Sequence, residues 1–127
     1  DFTYPQEFEI FRKIIVALSC KNIYEDDNLY IELFVGDARE YIRKFSNKFD
    51  IVYQDAFSPS SNPILWTKEY FSDIQNAMKR EGVLTTYSIA LKIRIALYEN
   101  GFNVYLNEGK EYRSATIASK NKLSGFK

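Results

Sequence analysis

Histidine is absent from these 127 residues. Its absence removes histidine-based triads and histidine-ligated zinc, and leaves acid–base work to Asp, Glu, Tyr or Lys. Cysteine occurs once, at Cys20, so no internal disulfide forms; a reducing compartment, the cytoplasm, is expected. Cys20 ends an apolar helical run and is expected to be a buried structural thiol. Glycine is scarce: five occur, none of them in G-x-G spacing, so a glycine-rich turn cradling a nucleotide is missing. Neither sign of charge is in excess, with 17 Lys and Arg against 17 Asp and Glu. No global field therefore draws the chain to nucleic acid or to a membrane, although a local basic patch stays open. No apolar run approaches the about 20 residues of a membrane span.

Aromatic residues make up 17% of the chain and apolar residues 46%, which suits a packed core or a stacking surface rather than disorder. The length allows one domain with a real core. Asp1 rather than Met opens the sequence, and a start further upstream is expected.

Pro5 stands in the first turn of a helical pattern marked by Phe8, Phe11, Ile14, Ile15 and Leu18. Residues 20–28 read as a polar loop, and Leu29–Val35 as a strand. Ala38, Tyr41, Ile42 and Phe45 recur at helical spacing, and Phe49–Gln54 reads as a buried strand. Thr67 is placed to cap a helix striped by Tyr70, Phe71, Ile74, Ala77 and Met78, with Gly82 stopping it. Val83–Tyr87 follows as a strand. Ser88 is placed to cap a helix with Ile89, Ile93, Ala96 and Leu97 on one face and Gly101 at its end. Phe102–Leu106 and Ser114–Ser119 form a closing hairpin around a turn-prone Asn-Glu-Gly-Lys-Glu segment. The expectation is one α/β domain over residues 1–127, with a mostly parallel sheet and a C-terminal antiparallel hairpin.

Open α/β sheets bind ligands at the carboxyl ends of their strands. Three positions stand there: Gly36-Asp37, Asp55 and Ser88. Asp37 is either the cap of the helix after it, supported by the Asp37–Glu40 spacing, or a ligand contact. Asp55 is either a turn cap or a functional acid. It leads into "DAFSPSSNPILW", where Pro59 and Pro63 fix φ and Asn62 is pushed out of the helical region. Stiffening of this kind preorganises what the loop carries. Trp66 reads either as core or as part of that loop. Lys110 and Arg113 are solvated charges or a phosphate contact, and Lys79, Arg80, Lys92 and Arg94 read as solvated helix surface.

"GDAREYI", "FDIVYQDAFSPSSNPILWTKEYFSDI", "REGVLTTYS", "ENGF" and "GKEYRSATIAS" together resemble the methyltransferase domain of the tRNA 5-methylaminomethyl-2-thiouridine biosynthesis enzymes, the MnmC type. The motif D-[AG]-F-[AS]-P-x-x-N-P-x-[LM]-W is distinctive, and the resemblance runs from about Leu29 to Ser119. It implies a class I, Rossmann-like methyltransferase fold that binds S-adenosylmethionine. It also implies methyl transfer to the amine of 5-aminomethyl-uridine at the tRNA wobble position. Carried over, Asp37 with Ala38 lies beside the cofactor's adenine, and Asp55 and Phe57 lie next to methyl donor and target base. Pro59, Asn62, Pro63 and Trp66 complete the substrate-side loop, while Lys110 and Arg113 fall near a basic tRNA-contacting motif, spaced "GKEYR" rather than G-R-K-R. Asp55 is the catalytic residue of this reading, and no metal or membrane is expected. An FAD-dependent oxidase, separate or fused in relatives, is a possible partner and is not expected within these residues.

In the strand order 3-2-1-4-5-7-6 of that fold, the first two strands and their glycine-rich turn are not found. The chain is thus expected to be a fragment or a truncated form that binds the cofactor poorly alone. Two other readings stay open. An aminopropyltransferase of the spermidine synthase type shares the fold but needs a second acid close after Asp55, where Phe57-Ser58-Pro59 stands. A non-catalytic remnant is the other.

Overall fold

The computed structural model describes residues 5–125, with side chains from Glu7 onward. Two compact units divide the chain, Asp1–Gly36 and Asp37–Lys127.

In the first unit, helix α1 (Pro5–Lys21) starts on its proline, where a missing N–H costs nothing. Asn22, in the left-handed region at φ 61, ends it, and its N–H donates to the Leu18 carbonyl at 3.1 Å. The 20–28 segment is not only loop: β1 (Ile23–Glu25) pairs antiparallel with β2 (Tyr30–Glu32). Asp26 makes this hairpin by accepting from the N–H groups of Asn28 and Leu29, each at 2.8 Å. Only three residues of the expected Leu29–Val35 strand are in strand pairing, and their partner is local, not the larger sheet. A three-residue ribbon covers little of a helix. Accordingly Phe8, Phe11 and Ile15 of α1 stay exposed, and Cys20 is exposed rather than buried.

In the second unit, α2 (Ala38–Ile42) precedes β3 (Phe49–Tyr53), and a short 3-10 turn (Pro63–Trp66) leads into α3 (Lys68–Ala77). Then come β4 (Met78–Thr86), α4 (Leu91–Glu99), β5 (Asn103–Asn107) and β6 (Ala115–Ser119). The sheet order is β3-β4-β6-β5. The β3–β4 pair is parallel and the other two pairs are antiparallel. The hairpin is therefore as expected, and the sheet is mixed. This is the 4-5-7-6 half of the order that the resemblance implies.

Three details depart from the pattern read in sequence. Helix α3 ends at Ala77, before Gly82. Met78, Lys79 and Arg80 are already in β4, so Lys79 and Arg80 are strand residues, with Lys79 on Asp50 at 3.1 Å. The ladder accommodates them through a bulge: Phe49 pairs with Met78 but Ile51 pairs with Val83. Gly82 sits inside that bulge, where a Cβ would meet the Lys79 carbonyl oxygen at 2.9 Å; its role is close approach, not helix termination. Strand β3 is also not buried. It stands at the edge of the sheet, and Ile51 and Tyr53 are exposed.

Thr67 caps α3 as expected, its Oγ1 accepting from the Tyr70 N–H at 3.1 Å. Helix α4 instead starts from Ala90, without a side-chain cap; Ser88 lies two residues earlier, buried, its Oγ accepting from the Ala90 N–H. The end of α4 is a Schellman closure. Gly101, at φ 84, donates to the Tyr98 carbonyl at 2.9 Å and Phe102 to that of Leu97 at 3.3 Å. Phe102 and Leu97 then join the core with Trp66, Phe71, Ile74, Leu84 and Ile93. Among the described residues no helix is long and apolar enough to cross a membrane.

Candidate active site

Strand β3 delivers the site. Gln54, immediately after it, keeps the ladder going by donating its N–H to the Thr85 carbonyl at 2.9 Å. Its buried side chain then donates from Nε2 to the Leu65 carbonyl at 2.6 Å, closing the base of the 55–66 loop. Asp55 is the next residue. Its carboxylate is exposed and takes no hydrogen bond from the described residues, so its oxygens are free to meet a ligand.

Two prolines do not hold this loop by themselves. Ser58 turns it, accepting from the N–H groups of Ser61 and Asn62 at 2.9 and 2.8 Å. The buried Trp66 donates from Nε1 to the Phe57 carbonyl at 2.7 Å. Tyr87, at the end of β4, donates from its hydroxyl to the Ala56 carbonyl at 2.9 Å. Asn62, at φ −142 and ψ 67, stays outside the α region as the following proline requires. The peptide carbonyls of Ala56 and Phe57 are thereby pinned, while the Phe57 ring itself is 79% exposed. The ring is thereby presented to solvent from a fixed backbone and is available for stacking.

Beside the loop a groove of about 240 Å³ is lined by Pro59, Pro63, Trp66, Lys92 and Ile93. Trp66 therefore has both roles read for it: its indole is core, packed edge-on against Phe71 and Tyr87, and it walls the groove. A second cavity of about 400 Å³ is lined by Tyr87, Ser88, Ile89, Arg113 and Ser114. Here the Arg113 guanidinium lies over the Tyr87 ring, 5.3 Å from its centroid. Arg113 is thus brought to the loop's anchor. Lys110 is exposed in the preceding turn and is not part of either cavity.

Asp37 is the N-cap of α2, accepting from the Arg39 N–H at 2.9 Å rather than from that of Glu40. The Arg39 side chain folds back onto the same carboxylate, at 2.7 Å from Nη2. These hydrogen bonds and the adjacent positive charge lower the Asp37 pKa to about 2. The Ala38 N–H, the first of the helix, has no acceptor among the described residues. Burial first, and then the charges of Asp37 and Asp73, raise the Tyr70 phenol. Ala38, Ala56 and Tyr87 pack on the same core cluster, so the end of β3, the end of β4 and the start of α2 share one support.

Sequence reading missed Gln54 and Tyr87. Both stand at carboxyl ends of parallel strands, the position that singled out Asp55, but neither carries a charge that drew attention. No cluster of metal-ligating side chains occurs among the described residues.

A family described as S-adenosyl-L-methionine-dependent methyltransferase matches residues 8–121. An uncharacterized protein of Methanocaldococcus jannaschii, MJ0670, is 41% identical over 100 residues, covering 77% of this chain and 28% of that protein. The bifunctional MnmC protein of tRNA 5-methylaminomethyl-2-thiouridine biosynthesis from Leptospira interrogans is 30% identical over 81 residues, 64% of this chain and 12% of that one. The crystal structure of MNMC2 from Aquifex aeolicus superposes with a TM-score of 0.78 at 33% identity, over 94% of this chain and 38% of that chain. The chain thus spans well under half the length of each of these relatives.

Proposed function

The chain belongs to the S-adenosyl-L-methionine-dependent methyltransferase family, and on that premise we propose that its loop serves N-methylation of 5-aminomethyl-(2-thio)uridine at the tRNA wobble position. The cofactor, S-adenosyl-L-methionine, supplies an electrophilic methyl group carried on a sulfonium. Support for an adenine edge at this turn comes from the Ala38 N–H, which has no acceptor among the described residues and adjoins the ionised, Arg39-paired Asp37. Asp55 and Phe57 stand on the loop that would flank the methyl group and the target base.

The substrate side follows from charge and geometry. An ammonium has no lone pair, so the aminomethyl group reacts as the neutral amine. Asp55, exposed and free of other partners, accepts a hydrogen bond from that amine, aims its lone pair and takes or relays its proton. Transfer beyond that is positioning. The Phe57 ring stacks on the splayed base, the mode that single-stranded RNA favours. Pro59, Pro63 and Trp66 wall the adjoining groove, and Asn62 lies between the two prolines of that wall. Arg113 and Lys110 meet the phosphate backbone.

The observation that carries this reading is the exposed Phe57 ring on a pinned backbone, two residues after an unpartnered acid. The test is incubation of the protein with methyl-labelled S-adenosylmethionine, at a concentration high enough to offset weak binding, and tRNA bearing 5-aminomethyl-2-thiouridine, followed by nucleoside mass spectrometry. A labelled methylaminomethyl nucleoside is expected. Label in a ring position of another base, or aminopropyl transfer to putrescine from the decarboxylated cofactor, would overturn the proposal.

A further inference from the structure

Tyr87 holds three unrelated partners at once. Its hydroxyl donates to the Ala56 carbonyl at 2.9 Å. Its ring meets the Trp66 indole edge-on, with centroids 5.9 Å apart at 81°. Its other contact is the Arg113 guanidinium, 5.3 Å over the ring. No other described residue links the 55–66 loop to the 107–114 turn in this way.

We infer that Tyr87 is a positioning residue that sets the base-stacking loop and the Arg113 cation in one fixed relation, so that one side chain aligns the nucleobase subsite with a phosphate subsite. The inference rests on the tRNA reading above and deepens it. Ala56 is the residue between Asp55 and Phe57, so restraining its carbonyl restrains both functional side chains. Arg113 is otherwise a long, exposed side chain that samples many rotamers; stacking on a half-buried ring reduces that freedom. The cavity beside it, lined by Tyr87, Ser88, Ile89, Arg113 and Ser114, presents a forked cation suited to a phosphodiester. Ser88 is itself held there, its carbonyl accepting from Thr116 Oγ1 at 2.6 Å, so the cavity floor is part of the sheet.

The two halves of the tyrosine are separable. Tyr87→Phe removes only the bond to Ala56, whereas Tyr87→Leu removes the ring under Arg113 as well. Hydrogen exchange read by mass spectrometry, with no ligand present, is expected to rise about fivefold across 55–66 in Tyr87→Phe, with peptides of α3 and β6 unchanged. Binding to the tRNA anticodon arm is then followed against salt. Arg113→Gln is expected to lower the salt slope by about one phosphate contact. Tyr87→Leu should do the same, the double variant no more than either, and Tyr87→Phe should keep the wild-type slope. Unchanged exchange over 55–66, equal acceleration everywhere, or additive losses from Tyr87→Leu and Arg113→Gln would each overturn the inference. A protein that binds no tRNA at all refutes the function proposed above, while the ligand-free exchange measurement still decides whether Tyr87 positions the loop.

Discussion

The Trp66 indole N–H donates to the Phe57 carbonyl oxygen at 2.7 Å. A core residue thereby fixes the backbone of the most exposed aromatic in the loop. Trp66→Phe keeps a ring in the core but leaves that carbonyl without its donor. A loss of about 1–3 kcal/mol is expected, from the hydrogen bond and the smaller ring together. Chemical denaturation measures it, and an unchanged midpoint would show that the bond contributes nothing.

Asp55→Ala removes an exposed carboxylate with no partner among the described residues. Stability should stay within about 0.5 kcal/mol of the parent, while methyl transfer falls by about 100- to 10,000-fold. Thermal melting and single-turnover methylation, run on the same preparation, separate the two effects. Normal turnover in this variant would refute the assignment of Asp55.

Phe57→Ala tests stacking. Because the ring is 79% exposed, its removal should leave the melting temperature unchanged and weaken tRNA binding by about 1–3 kcal/mol. Phe57→Trp should restore most of the affinity. Equal binding by Phe57→Ala and the parent would place the target base elsewhere.

Asp37 has a pH signature. Its pKa is lowered to about 2, first by the Arg39 side-chain hydrogen bond. Unfolded, the carboxyl titrates at about 3.9. A lowered folded value means a stabilising contribution that is complete above the unfolded pKa and lost as pH falls toward 2. Arg39→Ala should raise the Asp37 pKa toward the ordinary carboxylate value and shrink the stability difference between pH 5 and pH 2, about the window these two values define. Carboxyl-detected NMR titration reads it directly; an Asp37 that titrates unchanged in Arg39→Ala would show the ion pair to be irrelevant.

Gly82→Ala probes the bulge. The added Cβ would lie 2.9 Å from the Lys79 carbonyl and 3.1 Å from that of Phe49, both backbone atoms that cannot swing aside. A cost of about 1–3 kcal/mol is expected. A stability gain, the usual result of replacing glycine in a regular strand, would argue against the bulge.

The alternation of helices and strands from Ala38 to Ser119 was legible because each element carries its own period. Tyr70, Phe71, Ile74 and Ala77 recur at helical spacing and are all buried. The closing hairpin was legible for the same local reason. Where the reading failed, a non-local partner decided. Met78–Arg80 look helical in sequence but pair in β4, and Phe49–Tyr53 look buried but lie at an edge. The Ile23–Glu25 strand is short and unremarkable until Asp26 turns the chain and supplies it with a partner.

The order of residue types in "DAFSPSSNPILW" determined the loop's place after a strand, its acid, its aromatic and its family resemblance, since these depend on neighbours along the chain. What restrains the loop was not in that order. Gln54, Trp66 and Tyr87 reach the Leu65, Phe57 and Ala56 carbonyls across 11, 9 and 31 positions of sequence. Hydrogen bonds of that kind depend on the distance between atoms and not on the separation along the chain, so only the folded structure brings Tyr87 under Arg113 and against the residue next to Asp55.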